Sequence, residues 1–266
     1  MVVISMDTEK LLIEIVDIYK KSLEDNLVGL YLHGSLSMGC FTPKADIDLI
    51  AVVKRPMLPE EKRDLIDKLS CLGQLPEKGL EMSVVLQEHV AGKVLHPMPF
   101  ELHYSYIHKK KYETDQDYII EGTTDRDLAA HLTVVKHRGV RLYGKPIDEV
   151  VGDIPKEYFI DAVIYDIGEA EKTIIEDPVN VSLNLCRTLY YLLKGVVASK
   201  QEGGYWCTGH AKAEFKELIS EAVRVYVGIQ EKMDRTPEEL RAFASYMLGE
   251  ILSHCNLGER EDLCKA

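Results

Sequence analysis

The segment at residues 30–53, LYLHGSLSMGCFTPKADIDLIAVV, constrains the fold of this chain more than any other. The largely apolar residues 28–32 predict a buried strand. It ends at Gly34-Ser35, where a residue without a Cβ permits a sharp turn and the close approach of a ligand. Residues 47–53 predict a second strand that Asp46-Ile47-Asp48 opens, and the two-residue period of a strand puts both carboxylates on one face.

Two acids on one face repel each other unless a cation lies between them. Carboxylate oxygens suit Mg²⁺, which takes further ligands from water and phosphates. The backbone N–H groups after Ser35 are placed to bind a phosphate. For the Asp-x-Asp pair alone, the favoured interpretation is plainer: Asp46 is a turn residue and Asp48 a solvated strand end.

The combination is more specific than its parts. Gly-Ser followed after ten residues by Asp-x-Asp resembles the signature of the nucleotidyltransferase superfamily with the DNA polymerase β-like palm. This resemblance implies a third carboxylate on a neighbouring strand. Residues 80–87, LEMSVVLQ, predict that strand, and Glu81 is its one acid. The resemblance makes Glu81 the general base or a metal ligand, although an acid that opens a strand is also simply solvated in many sheets.

Bulk properties exclude several classes of protein. The chain has 266 residues, of which 46% are hydrophobic, enough for one large or two modest domains. No apolar run approaches the ~18 residues of a membrane span, and residues 1–10 lack the pattern of a signal peptide, so we expect a cytoplasmic protein. The six cysteines show no zinc or disulfide spacing and are expected to be reduced thiols. A net charge of −12 disfavours a nucleic-acid partner and suits a small cationic substrate.

Two domains are predicted from the pattern of elements. Helices at 7–25, 59–72 and 125–138, with a further strand at 100–107, complete an α/β (α+β) domain with a mixed sheet over residues 1–152. In the strand at 100–107, His103 is a candidate acid/base group. The favoured interpretation is that its side chain packs across the strands or is solvated. Residues 153–266 predict an all-α helical bundle, with helices at 157–174, 178–196, 211–230 and 236–255.

Three residues of the second domain are not explained by amphipathic helices. Arg187 lies in the apolar run SLNLCRTLYYLLKG, Lys200 in the predicted turn ASKQEGGYWCTG, and Tyr226 in RVYVG. Taken singly, each is better interpreted as structural. Their order and spacing resemble the streptomycin/spectinomycin (aminoglycoside) adenylyltransferase family over nearly the whole chain. The resemblance implies that these three residues contact ATP, with Gly34 and Ser35 at its phosphates, and that Asp177 contacts an amine of the substrate.

The family resemblance also implies an activity. It is Mg²⁺-dependent transfer of AMP from ATP to a hydroxyl of spectinomycin or streptomycin, with Glu81 as base and Asp46, Asp48 and Glu81 as metal ligands, in a protein expected to be a monomer. Ser105-Tyr106-Ile107 replaces a family Gly-Glu-Trp, and family acids and a histidine near Thr173 and Asn180 are absent. An endogenous small molecule or a protein hydroxyl is therefore an alternative acceptor. A catalytically silent nucleotide-binding regulator is a further alternative, which the three retained carboxylates disfavour.

Overall fold

The computed structural model describes residues 6–42 and 44–255. They form two compact units that divide between Ala162 and Val163, later in the chain than the predicted boundary at 152/153. Residues 1–5, part of the N-terminal stretch tested for a signal peptide, and Cys264 lie outside the described residues. The other five cysteines carry free thiols. Among the described residues, no helix combines the length and the apolar character that a membrane span requires.

Among residues 6–42 and 44–255, the strands lie in the first unit and the helices in both. The strands are β1 Leu27–His33, β2 Ile47–Val53, β3 Leu80–Leu86, β4 Met98–Pro99, β5 Leu102–Ser105, β6 Thr124–Asp125 and β7 Val140–Gly144. The helices up to the end of the first unit are α1 Met6–Leu23, α2 Gly34–Ser37, α3 Pro59–Ser70, α4 Gln87–Val90, α5 Lys109–Thr114, α6 Asp127–Arg138, α7 Ile147–Val150 and α8 Lys156–Ile167, which crosses into the second. The later helices are α9 Ala170–Thr173, α10 Pro178–Lys194, α11 Lys200–His210, α12 Ala213–Tyr226 and α13 Pro237–His254.

The main sheet has five strands in the order β5-β3-β2-β1-β7, and a two-stranded sheet pairs β4 with β6. Strands β2 and β3 are parallel, since α3 returns the chain to the same edge, whereas the other pairs are antiparallel. The predicted mixed sheet is therefore confirmed. The parallel register sets Asp48 opposite Glu81.

Both faces of the main sheet are buried over most of its area. On one face Ile47, Leu49 and Ala51 of β2 join a core with residues of α1 and α3. On the other face Ile50 and Val52 pack with residues of α6. By alternation along the strand, Asp48 shares the face of Ile50 and Val52. The catalytic candidates on β2 therefore lie where an apolar strand face gives way to polar groups at the strand start.

The second unit is helical, as predicted, but one helix was missed. The predicted turn after Lys200 is wrong, because residues 200–210 form α11. The helix begins with a capping box in which the Ser199 hydroxyl accepts from the Glu202 amide at 3.1 Å and the Glu202 carboxylate accepts from the Ser199 amide at 2.8 Å. Its two glycines are explained by packing rather than by a turn. A Cβ on Gly203 would lie 2.7 Å from the Cα of Arg187, so the glycine permits close approach of α11 to α10.

Other predicted elements exist but are shorter or interrupted. The strand predicted at 100–107 is β5 Leu102–Ser105 followed by a 3₁₀ turn, Tyr106–His108. The helix predicted at 157–174 is divided at Gly168 into α8 and α9. The helix predicted at 211–230 ends at Tyr226, where a loop at residues 227–236 leads to α13.

Candidate active site

Three carboxylates predicted from the sequence meet at one edge of the main sheet. Asp46 immediately precedes β2, Asp48 is the second residue of β2, and Glu81 is the second residue of β3. One oxygen from each lies within 4.8 Å of the others, and each residue is partly exposed. Parallel pairing places Asp48 beside Glu81, and the residue before the strand brings Asp46 to the same place. The arrangement is a compact anionic cluster open to a ligand.

The turn after β1 approaches this cluster closely. Gly34 has a φ of +67°, a conformation that favours glycine, and a Cβ at this position would lie 2.7 Å from the carboxyl carbon of Asp48. Within the described part of the chain, the Ser35 hydroxyl is buried without a hydrogen-bond partner. A buried polar atom without a partner costs free energy, so an unmet hydroxyl at this turn points to an absent polar ligand.

The electrostatics of the cluster favour a cation. Burial raises the pKa of the Glu81 carboxyl, and the negative charges of Asp46, Asp125 and Asp127 raise it further, while Lys78 opposes them. The like charges are thus close enough to disfavour full ionisation. Three carboxylate oxygens form a hard donor set of the kind that Mg²⁺ prefers. The residues present therefore fit a divalent cation, which would also relieve the repulsion among the three carboxylates.

His103 lies beside the carboxylate cluster. The sequence favoured packing or solvation for this residue over a place in the site. Its Nδ1 lies 3.0 Å from the Ser83 hydroxyl, and its Nε2 lies 3.7 Å from an oxygen of Glu81. Burial lowers the pKa of His103, with Asp125 acting in the opposite sense. The antiparallel pairing of β5 with β3 sets His103 directly opposite Ser83, so the backbone register places the ring beside the base candidate.

Sequence reasoning missed four residues around the carboxylates. Asp125 and Asp127 act on Glu81 through their charges, although the sequence marked them only as the start of a helix. The rings of His33 and His131 are tilted relative to each other, with centroids 5.0 Å apart, and both line the small recess that contains Asp48 and Glu81. Burial and then the neighbouring His131 hold the pKa of His33 well below its usual value. The signal for His131 was its position one helical turn after Asp127, on the same face of α6.

The remaining predicted site residues all lie in the second unit. Asp177 caps the N-terminus of α10, where its carboxylate accepts from the Asn180 amide. Lys200 is the first residue of α11, and its ammonium donates to the Asn180 side chain at 2.8 Å. The structure therefore joins the predicted amine contact and one predicted ATP contact through Asn180, a residue that the sequence did not assign to the site.

Arg187 lies on α10 and Tyr226 at the end of α12, both in the second unit. The Arg187 guanidinium lies 4.0 Å from the Asp166 carboxylate and is about one-third exposed, so it is neither fully buried nor tightly paired there. Tyr226 is the last residue of α12 and packs against a small apolar cluster that includes Leu183 and Val223.

Comparisons with known proteins cover both units. Residues 149–250 match the family model described as "Aminoglycoside adenylyltransferase, C-terminal domain". The chain is 27% identical to a spectinomycin 9-adenylyltransferase of Enterococcus faecalis, over 92% of this chain and 96% of that protein. It is 26% identical to an aminoglycoside (3'')(9) adenylyltransferase of Klebsiella pneumoniae, over 90% and 92% of the two chains.

A solved structure agrees with these relatives. The crystal structure of spectinomycin adenyltransferase from Enterococcus faecalis, with ATP and spectinomycin, matches with a TM-score of 0.79 and 26% identity. The match covers 92% of this chain and 99% of that one. The chain is therefore similar to aminoglycoside adenylyltransferases over most of its length, and residues 149–250 match the C-terminal domain of that family.

Proposed function

We propose that this protein transfers AMP from ATP to a hydroxyl group of an aminoglycoside-type antibiotic and thereby confers resistance. Spectinomycin is the first acceptor to test, because it is named for the Enterococcus relative and bound in the matching crystal structure. The observation that carries the proposal is the cluster of Asp46, Asp48 and Glu81, whose oxygens lie within 4.8 Å of one another beside the turn at Gly34.

The reaction is an in-line displacement at the α-phosphorus of ATP. The acceptor oxygen forms a bond to that phosphorus, the bond to the bridging oxygen of the β-phosphate breaks, and pyrophosphate leaves. Glu81 takes the proton of the attacking hydroxyl, a role open to a carboxylate that lies beside the other two acids at the sheet edge. His103, 3.7 Å from Glu81, helps to hold the carboxylate in place.

Other residues bind and orient the nucleotide. The Ser35 hydroxyl and the backbone at Gly34 contact the phosphates, which gives the buried hydroxyl the polar partner it otherwise lacks. Arg187, Lys200 and Tyr226 contact ATP through two cations and one ring, a set suited to a polyanionic nucleotide. When bound by Asp46, Asp48 and Glu81, Mg²⁺ supplies positive charge to the phosphates.

The acceptor is a small cationic molecule. A protein with a net charge of −12 and an anionic site attracts amines at long range. Asp177 is the proposed contact for an amine of the acceptor, although its carboxylate also caps α10. Its action as a cytoplasmic monomer and the division into domains at 152/153 stay predictions.

The test is pyrophosphate release by the purified protein with ATP, with spectinomycin, streptomycin and unrelated aminoglycosides offered in turn. Glu81→Gln should lower drug-dependent release by about 10²–10⁴-fold, the usual contribution of a general base. Glu88→Gln is the matched control, because Glu88 is an exposed acid just beyond the other end of β3, and it should retain full activity. Chelation by EDTA should abolish release, and added Mg²⁺ should restore it. No release with any drug, while ATP still binds, would refute an antibiotic acceptor.

A further inference from the structure

Three polar side chains of the second unit form a continuous hydrogen-bonded chain. The Lys200 ammonium donates to Oδ1 of Asn180 at 2.8 Å. The Nδ2 of Asn180 donates to both oxygens of Asp177, at 2.8 and 3.0 Å. Asp177 also accepts from the backbone N–H of Asn180 at 3.2 Å. One amide therefore links a cation on α11 to a carboxylate at the start of α10.

The chemistry of the amide makes this linkage directional. An ammonium only donates and a carboxylate only accepts, whereas an amide has one end of each kind. Asn180 satisfies both partners only with its NH₂ towards Asp177 and its oxygen towards Lys200. The carboxylate therefore sets the orientation of the amide, and the amide oxygen in turn sets the position of the ammonium.

The neutrality of Asn180 matters as much as its shape. An amide orients the Lys200 ammonium without compensating its positive charge, which a polyanionic ligand needs. An aspartate at residue 180 would have nearly the same shape but would pair with Lys200 and repel Asp177. The choice of amide over carboxylate at this position is thus consistent with holding a lysine for an anion.

We propose that Asn180 is a positioning residue that couples the ATP end of the site to the acceptor end. Asn180 positions Lys200 to bind the phosphates of ATP and Asp177 to bind an amine of the acceptor. A substitution of Asp177 therefore alters ATP binding through the Asn180 amide. The inference rests on the proposed function, which assigns ATP to Lys200 and the amine to Asp177.

The test measures ATP affinity by calorimetry without any acceptor. Asp177→Ser keeps a good helix cap but removes the carboxylate that orients the amide. It should weaken ATP binding about three- to tenfold, the worth of one or two ordered hydrogen bonds. In an Asn180→Ala background, Asp177→Ser should have no further effect, because the amide that carries the coupling is gone.

Two further variants separate positioning from charge and from folding. Glu176→Ser removes a neighbouring exposed acid without a bond to Asn180, so it should leave ATP affinity equal or slightly higher. Asn180→Asp should weaken ATP binding more than Asn180→Ala, by tenfold or more. A merely structural role predicts the reverse, since aspartate fits the space better than alanine. Equal denaturation midpoints of the variants, followed by the fluorescence of Trp206, would establish that the second unit stays folded.

The inference is overturned if Asp177→Ser weakens ATP binding equally with and without Asn180, or if Asn180→Asp binds ATP as the unaltered protein does. Failure of the proposed function has a different signature. If the unaltered protein binds no ATP, the assignment of Lys200 fails and the coupling fails with it. If ATP binds and the coupling is measured but no antibiotic is adenylylated, only the acceptor is wrong.

Discussion

A buried carboxylate in α12 supports the sharpest stability prediction. Glu221 is only 4% exposed and accepts from the Arg235 guanidinium at 2.6 Å, the Asp234 backbone amide at 2.6 Å and the Gln230 side chain at 2.9 Å. All three donors belong to the loop at residues 227–236. The carboxylate therefore ties this loop to α12, and Glu221→Gln removes the charge on which the tie depends.

The expected loss is about 2–3 kcal/mol of the free energy of unfolding of the second unit. Removing one partner of a buried ion pair costs roughly 3–5 kcal/mol, since the charge of the other partner is left buried without compensation. The lower figure applies because the Arg235 side chain is 22% exposed and water can solvate part of it, and because glutamine keeps one oxygen as an acceptor. With a urea m-value of roughly 1–2 kcal/mol/M, the urea midpoint should fall by about 1–3 M.

Tryptophan fluorescence measures this loss in the unit concerned. Trp206 is the one tryptophan of the chain and stacks on Tyr190 and His210 within the second unit. The matched control is Glu217→Gln on the same helix, since Glu217 is 65% exposed and pairs with an exposed arginine at 2.8 Å. An exposed pair contributes below about 1 kcal/mol. Equal shifts of the urea midpoint for Glu217→Gln and Glu221→Gln would refute the reasoning.

The pH dependence of this difference follows from the same contacts. Burial alone would raise the pKa of Glu221, but the hydrogen bonds from Asp234, Arg235 and Gln230 and the charge of Arg235 outweigh it and lower the pKa. A carboxyl with a lowered pKa in the folded protein stabilises it above the unfolded pKa and loses that stabilisation as the pH falls through the folded pKa. The stability gap to Glu221→Gln should therefore be constant near neutral pH and narrow in acid.

Three glycine variants and one carboxylate variant give further tests. Gly203→Ala should destabilise the second unit by about 1–3 kcal/mol, because the new Cβ meets the backbone of α10. Gly249→Ala should stabilise the unit by about 0.5–1 kcal/mol in the same urea assay, because no atom lies within 4 Å of its new Cβ. Gly34→Ala should lower the rate of AMP transfer on the order of a hundredfold with little change in circular dichroism, since it displaces the carboxylate cluster; an active variant would contradict this. In EDTA, Glu81→Gln should raise the free energy of unfolding by less than about 1 kcal/mol, because the Glu81 side chain is 40% exposed, and the thermal midpoint should rise slightly. A lower midpoint would contradict repulsion in the cluster.

The carboxylate cluster was predicted through the family resemblance, and local sequence and strand pairing explain why the three acids meet. Asp46 and Asp48 are separated by one residue, so strand alternation alone brings them to one face. Glu81 opens the next predicted strand, and a helix between two strands makes them parallel neighbours in most α/β folds. Its position beside Asp48 then follows from the register. The predicted mixed sheet and helical second unit followed from the same periodicity.

The second unit was harder because its decisive contacts are between helices. Two adjacent glycines normally indicate a turn, and the fit of Gly203 against Arg187 depends on how closely α11 approaches α10. No pattern along the sequence measures that distance. For the same reason, the hydrogen bond from Lys200 to Asn180 could not be predicted, since the two residues lie on different helices and are 20 positions apart.

Glu221 in the second unit and Glu81 in the first are both shielded from water, but their surroundings have opposite effects on the carboxylate. Glu221 is surrounded by donors, so its pKa falls and its charge stabilises the fold. Glu81 is partly buried and faces other acids, so its pKa rises, first through burial and then through their negative charges. A structural role does not account for three acids whose oxygens lie within 4.8 Å, because replacing any one would relieve repulsion. The repulsion becomes useful only when a cation and phosphates enter, and that is why this cluster, rather than the better-bonded Glu221, carries the proposed chemistry.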